Sequence, residues 1–131
     1  MDVEKGTDEE IEEVYAYKVP LHKWVPAIWP CYHMYVVYKT KNWCWSIEKH
    51  CDRVNIQRKS TLSAVRDRLH DEPRIGTPVR MYADKASDNI KMKELLFVIK
   101  NVDAYDPVLS NCQHFAAKVF NRISKNVKIW Q

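Results

Sequence analysis

Glycine is nearly missing from this chain: Gly6 and Gly76 are the only two in 131 residues. That excludes the glycine-rich loops that cradle phosphates in nucleotide-binding folds. No stretch approaches the ~18–20 consecutive apolar residues of a membrane helix. No cleavable signal pattern opens the chain either. Cysteine is sparse, with Cys31, Cys44, Cys51 and Cys112. The pairings Cys31-x-His33, His50-Cys51 and Cys112-x-His114 put zinc-type donors side by side. None has the C-x(2–4)-C or H-x(3–5)-H spacing of structural zinc sites. No metal and no cofactor is therefore expected, and the four thiols are expected to be free in a cytoplasmic protein.

Charge of one sign dominates only locally. Residues 1–13 carry seven acids against Lys5, a net −6, which leaves +10 on residues 14–131 and +4 overall. Such a like-charged segment reads as a flexible acidic arm over 1–13, followed by one domain over 14–131, a length that supports one core and not two. Lys and Arg are scattered along that domain and its aromatics mostly alternate with apolar residues. They read as core and not as base-stacking platforms, so a nucleic-acid partner is given little weight.

Periodicity predicts a first strand over Val14–Val19 and an aromatic-rich loop over 20–31 with Trp24 and Trp29. Two strands follow at about 32–38 and 43–49, joined by the polar Lys39–Asn42, and then a third hairpin strand over Arg53–Arg58. Ser60 is expected to cap a helix over Thr61–Leu69, with Leu62, Val65 and Leu69 on one face. Pro73, Gly76 and Pro78 break the chain before a strand at about 79–83. A helix over Asp88–Lys100 would bury Ile90, Leu95, Leu96 and Ile99, and a loop with Pro107 leads into a last helix. Val127–Trp130 reads as a short terminal strand. The pattern is α+β, an antiparallel sheet packed against helices on one side.

The chemistry concentrates in Asn111-Cys112-Gln113-His114-Phe115, directly before the apolar-periodic Ala116, Val119, Phe120 and Ile123. Ser110 or Asn111 can cap a helix there. Cys112 then falls in the first turn, where the helix dipole and free N–H groups favour a thiolate. The matching base is His33, which opens the apolar strand Tyr32-His33-Met34-Tyr35-Val36-Val37-Tyr38. The strand after it offers Ser46, Glu48 or His50 to orient the imidazole. Glu48 is favoured, because a carboxylate accepting the ring N–H sets the tautomer and stabilises the imidazolium.

These two strings, His33 to Tyr38 and Asn111 to Phe115, resemble the circularly permuted papain-like superfamily, the NlpC-type peptidase relatives. They are most similar to its lecithin retinol acyltransferase and phospholipase/acyltransferase branch, with Gln113 where that branch has Glu. The desumoylating isopeptidases share the His-before-Cys order and are the second branch. The acyltransferase branch has a second histidine on the strand after its first; this chain departs from it there. Its membrane-attached members carry a hydrophobic tail, whereas this chain ends at Trp130-Gln131. The resemblance implies a permuted papain-like fold and a covalent thioester acyl-enzyme on Cys112, with His33 as base. The substrate would be a lipid-type acyl group or a protein or peptide. Trp24 and Trp29 would wall the substrate groove, with Tyr32 and Gln113 beside the developing oxyanion. Isopeptide cleavage, or a non-catalytic binding module on the same fold, are the other readings.

Overall fold

Tyr32–Thr40 is apolar on both faces, and such a strand is stable only between two covered surfaces. The computed structural model, which describes residues 6–21, 32–50, 53–105 and 112–129, places it accordingly. The strands are β1 (Ile11–Pro20), β2 (Tyr32–Thr40), β3 (Cys44–Lys49), β4 (Val54–Lys59), the two-residue β5 (Arg68–Leu69) and β6 (Glu72–Pro73), and β7 (Val79–Lys85). The helices are α1 (Leu62–Arg66), α2 (Met92–Tyr105) and α3 (Cys112–Ile123). Five strands form one antiparallel sheet in the order β4-β3-β2-β1-β7, with β2 central. The α+β class expected from the sequence holds.

Alternation then sorts side chains to the two faces. Val14, Ala16, Met34, Val36, Tyr38, Trp45 and Ile47 meet α2 and α3 through Met92, Leu95, Ile99, Phe115, Val119 and Phe120. Ala116 and Ala117, both buried, let α3 lie close on the sheet. Tyr15, Tyr17, Val19, Tyr35, Val37 and Cys44 face the other way and pack with Val65 of α1. The helices therefore cover both faces, which corrects the expected one-sided arrangement. Val65 is the reason, since a single buried valine seats α1 on the second face.

The first strand begins at Ile11 and not at Val14, so Ile11–Glu13 belong to the sheet and not to a flexible arm. A β-bulge between Ile11 and Glu13 shifts the register against β2. It lets Ile11 and Val14, three residues apart, enter the same core, and so breaks the period-two pattern from which strands are read. Residues 1–5 lie outside the described residues.

Helix α1 is also shorter than expected. Thr61, not Ser60, caps it by accepting the Ala64 N–H at 3.3 Å. Beyond Asp67 the chain turns into the β5–β6 hairpin, with His70 and Asp71 in the left-handed region. Gln57 of β4 clamps that hairpin, donating to the Arg68 carbonyl at 2.9 Å and accepting the His70 N–H at 3.0 Å. Leu69 is thereby drawn out of the helix. Helix α2 starts at Met92 because Ile90 and Lys91 are tied to the start of β1: Ile11 N–H donates to the Ile90 carbonyl at 2.8 Å, and Lys91 bridges Glu10.

Val127–Ile129 form no strand. Asn121 of α3 holds them instead, accepting the Ile129 N–H at 2.7 Å and donating to its carbonyl at 2.9 Å. Asn121→Ala removes two hydrogen bonds and is expected to cost about 1–2 kcal/mol. Native-state hydrogen exchange should show faster exchange at Ile129 than at the Val14 amide in mid-sheet; equal acceleration at both would refute a local clasp.

Candidate active site

The ladder between β2 and β3 runs only from Val36–Ile47 to Lys39–Cys44. Beyond it the strands part, and the β2 edge from Tyr32 to Met34 has no β3 partner. The first turn of α3 docks on that edge. Gln113 Nε2 donates to the Tyr32 carbonyl at 3.1 Å, the Cys112 sulfur lies 4.0 Å from the same oxygen, and the Met34 N–H donates to the sulfur. Backbone groups left unpaired by the fork thus hold the thiol in place.

His33 stands beside it. The Cys112 thiol and the His33 ring are hydrogen-bonded, while His33 Nε2 faces Glu48 Oε1 at 2.8 Å. With Nε2 committed to the carboxylate, Nδ1 is the nitrogen left to face sulfur. The structure therefore brings Cys112, His33 and Glu48 into one line. Ser46 is buried but turned to Gln57, whose Nε2 donates to its hydroxyl at 2.8 Å. His50 joins the cluster from just past the end of β3: its Nε2 is 3.1 Å from Glu48 Oε1, and its ring stacks on that of His33 with centroids 5.0 Å apart.

Sequence reasoning missed Arg74. It follows β6 as a lone arginine with no motif around it, so no signal marked it. Its guanidinium forks onto both oxygens of Glu48, at 3.0 and 2.7 Å, and lies 3.7 Å from the Tyr35 ring centroid. Nη2 also reaches the Val65 carbonyl at 3.2 Å. Glu48 and Arg74 are both buried, with side chains 0% and 4% exposed. This ion pair anchors the carboxylate that anchors the histidine.

The electrostatics follow from these contacts. Burial raises the Glu48 pKa, but the hydrogen bonds from His33, His50 and Arg74 outweigh it and hold the carboxyl well below its usual range. Burial would likewise discharge His33; its bonds to Cys112 and Glu48 prevail and lift it to about 9. For Cys112, burial pushes the thiol up, while the His33 hydrogen bond, the Met34 N–H, the imidazolium charge and its own N–H pull it below an ordinary thiol. The two opposite shifts favour a thiolate–imidazolium pair near neutral pH. Cys44 is the contrast: it is buried, and burial raises its pKa.

The remaining expected site residues separate. Tyr32 packs its ring into the core under α3, and its hydroxyl is raised by burial, then by the nearby charges of Tyr82 and Cys112. Gln113 tethers α3 to β2 through its amide. His114 is exposed. Trp24, Trp29, Cys31, Cys51, Ser110 and Asn111 lie outside the described residues. On the Nε2 side of His33 opens a hollow of about 300 Å³, lined by Val19, Leu21, His33, Glu48, His50 and Ile75 among others.

His33, Glu48 and His50 place three donor atoms within 4.8 Å of one another, a set whose chemistry suits a divalent ion. Arg74 argues against one. Its guanidinium already covers both carboxylate oxygens, and a metal ion would meet a buried positive charge. Both ring nitrogens face Oε1 as N–H donors, so the group is a carboxylate-anchored imidazole pair. Compared with protein-family models, with curated proteins and with solved structures, the chain finds no match in any of the three.

Proposed function

We propose that this chain is a cysteine-dependent acyl hydrolase or acyltransferase, with Cys112 as nucleophile, His33 as its acid and base, and Glu48 as the group that orients His33. The observation that carries the reading is the line Arg74–Glu48–His33–Cys112, with the histidine charged and the thiol acidified. The His33-before-Cys112 order, with α3 lying across β2, supports a permuted papain-like fold as the finer description.

In the acylation step the Cys112 thiolate attacks the carbonyl carbon and a C–S bond forms. The Cys112 N–H is the group suited to stabilise the oxyanion. His33 gives its Nδ1 proton to the departing alkoxide, thiolate or amine as the carbonyl bond to that group breaks. Neutral His33 then takes a proton from water or an acceptor alcohol, which attacks the thioester carbonyl. The C–S bond breaks, the acid or transferred acyl product leaves, and the thiolate–imidazolium pair returns. Lipid-type acyl groups lead as substrate, and isopeptides come second because a Cys-His pair alone suffices for them.

The test is a panel of acyl esters, acyl thioesters and ubiquitin-type conjugates. Turnover should vanish in Cys112→Ala, and intact-mass analysis should show one acyl adduct on the wild-type protein, mapped to Cys112. An unaltered panel with no adduct would favour a binding module.

A further inference from the structure

On the face that carries α1, the Tyr17 hydroxyl is approached by two guanidinium groups. Arg80 Nη2 donates to it at 3.3 Å, and Arg66 hydrogen-bonds it as well. Two like charges converging on one phenol oxygen repel each other, so this is a costly arrangement for an unliganded surface. Only one of them is neutralised. Arg66 forks onto Asp67 at 2.7 and 2.9 Å, whereas Arg80 lies over the Tyr15 and Tyr17 rings and makes no ion pair among the described residues.

Both arginines, Tyr17, Thr77 and the edge of Arg74 line a shallow basin of about 610 Å³. Arg66 is paired with Asp67 and Arg74 with Glu48, so Arg80 carries the basin's uncompensated positive charge among the described residues, and two hydroxyls add neutral donors. Arg80 is exposed and Arg66 is about one-third exposed, so a ligand can reach both. Their planar forks match the oxygens of a tetrahedral anion better than a point charge would. Tyr17 and Tyr35 stack beneath with centroids 5.7 Å apart, a rigid floor that holds the guanidinium planes.

We infer that this basin is a binding site for a phosphoryl group, in which one phosphate bridges Arg80 and Arg66 above the Tyr17 hydroxyl. Nothing in the inference depends on Cys112 chemistry, so it stands or falls separately from the acyl-transfer reading. Free phosphate and the phosphate of a small phosphorylated molecule share this chemistry, and size separates them: the basin admits more than one phosphate.

The experiment is calorimetric titration of the full chain with inorganic phosphate and with pyrophosphate, at constant ionic strength in chloride, with acetate as the planar-anion control. Saturable binding on the order of 1 mM or tighter is expected for pyrophosphate, weaker for phosphate and absent for acetate. Pyrophosphate binding tighter than phosphate assigns a phosphorylated molecule; equal binding assigns free phosphate. Arg80→Gln and Arg66→Gln should each weaken it at least tenfold, Arg80→Lys less, and Lys125→Gln, beside Lys85 at the opposite end of β7 from Arg80, not at all. Cys112→Ala should bind as the wild type does. Binding unchanged in both glutamine variants, or matched by acetate, would mean an adventitious ion only and overturn the site; so would no saturable heat.

Discussion

At pH 6.5, iodoacetamide should alkylate Cys112 readily and leave Cys44 unmodified, and His33→Gln should slow the Cys112 reaction by roughly tenfold or more. An ordinary thiol with a pKa near 8.5 is only about 1% thiolate at that pH. Cys112 is acidified by the His33 bond and charge and by the Met34 N–H, against the upward push of burial, so a larger share of it is thiolate at that pH. The larger thiolate fraction speeds alkylation, but a more acidic thiol is a poorer nucleophile, which returns part of that gain. Peptide mapping separates the sites, and buried Cys44 is the internal reference. Turnover should fall again on the alkaline side as pH passes about 9, where His33 loses the proton that acylation requires. Alkylation of Cys112 at the rate of free glutathione, or a His33→Gln rate equal to the wild type, would remove the basis for catalysis.

Arg74→Ala should be among the most destabilising single substitutions in the protein, at about 3–5 kcal/mol. It leaves the Glu48 carboxylate, whose side chain is 0% exposed, without its bidentate partner. Melting temperature should drop by roughly 10–20 °C. Glu48→Gln should cost a similar amount, because it strands the buried guanidinium. The double variant Arg74→Ala/Glu48→Gln should be more stable than the sum of the two losses, since neither orphaned charge remains. Full additivity would show that the pair is not coupled. The pH dependence has a definite sign. Glu48 is depressed in the folded chain, so its contribution is present above the unfolded carboxyl pKa and is lost as pH falls. His33 is raised, so its contribution is complete below about pH 6.5 and is lost as pH rises through about 9. Stability should therefore be greatest between roughly pH 5 and 7, with the acid limb moved in Arg74→Ala.

Local patterns read well where neighbours in sequence are neighbours in space. β2, β3 and β4 and the apolar stripe of α3 appear in the periodicity, because their faces are set by alternation or by the 3.6-residue turn. Glu48 was legible as the third member because it sits on the strand after His33 with its side chain on a shared face. The same reasoning failed at Ile11, where a bulge broke the alternation. It failed at Leu69 as well, where a clamp from Gln57, twelve residues earlier, overrode a helical stripe.

From the sequence alone come the α+β class, the thiol at a helix start, the histidine at a strand start and the carboxylate one strand away. Each is a consequence of short-range order. Only the tertiary structure decided that β2 and β3 part beyond Val36, so that the Met34 N–H and Tyr32 carbonyl are free to hold the thiol. It also decided that a solitary arginine after β6 buries itself against Glu48, and that Arg66 and Arg80, fourteen residues apart, converge on one tyrosine. Those contacts join elements through electrostatics and unpaired backbone groups, neither of which leaves a period in the sequence.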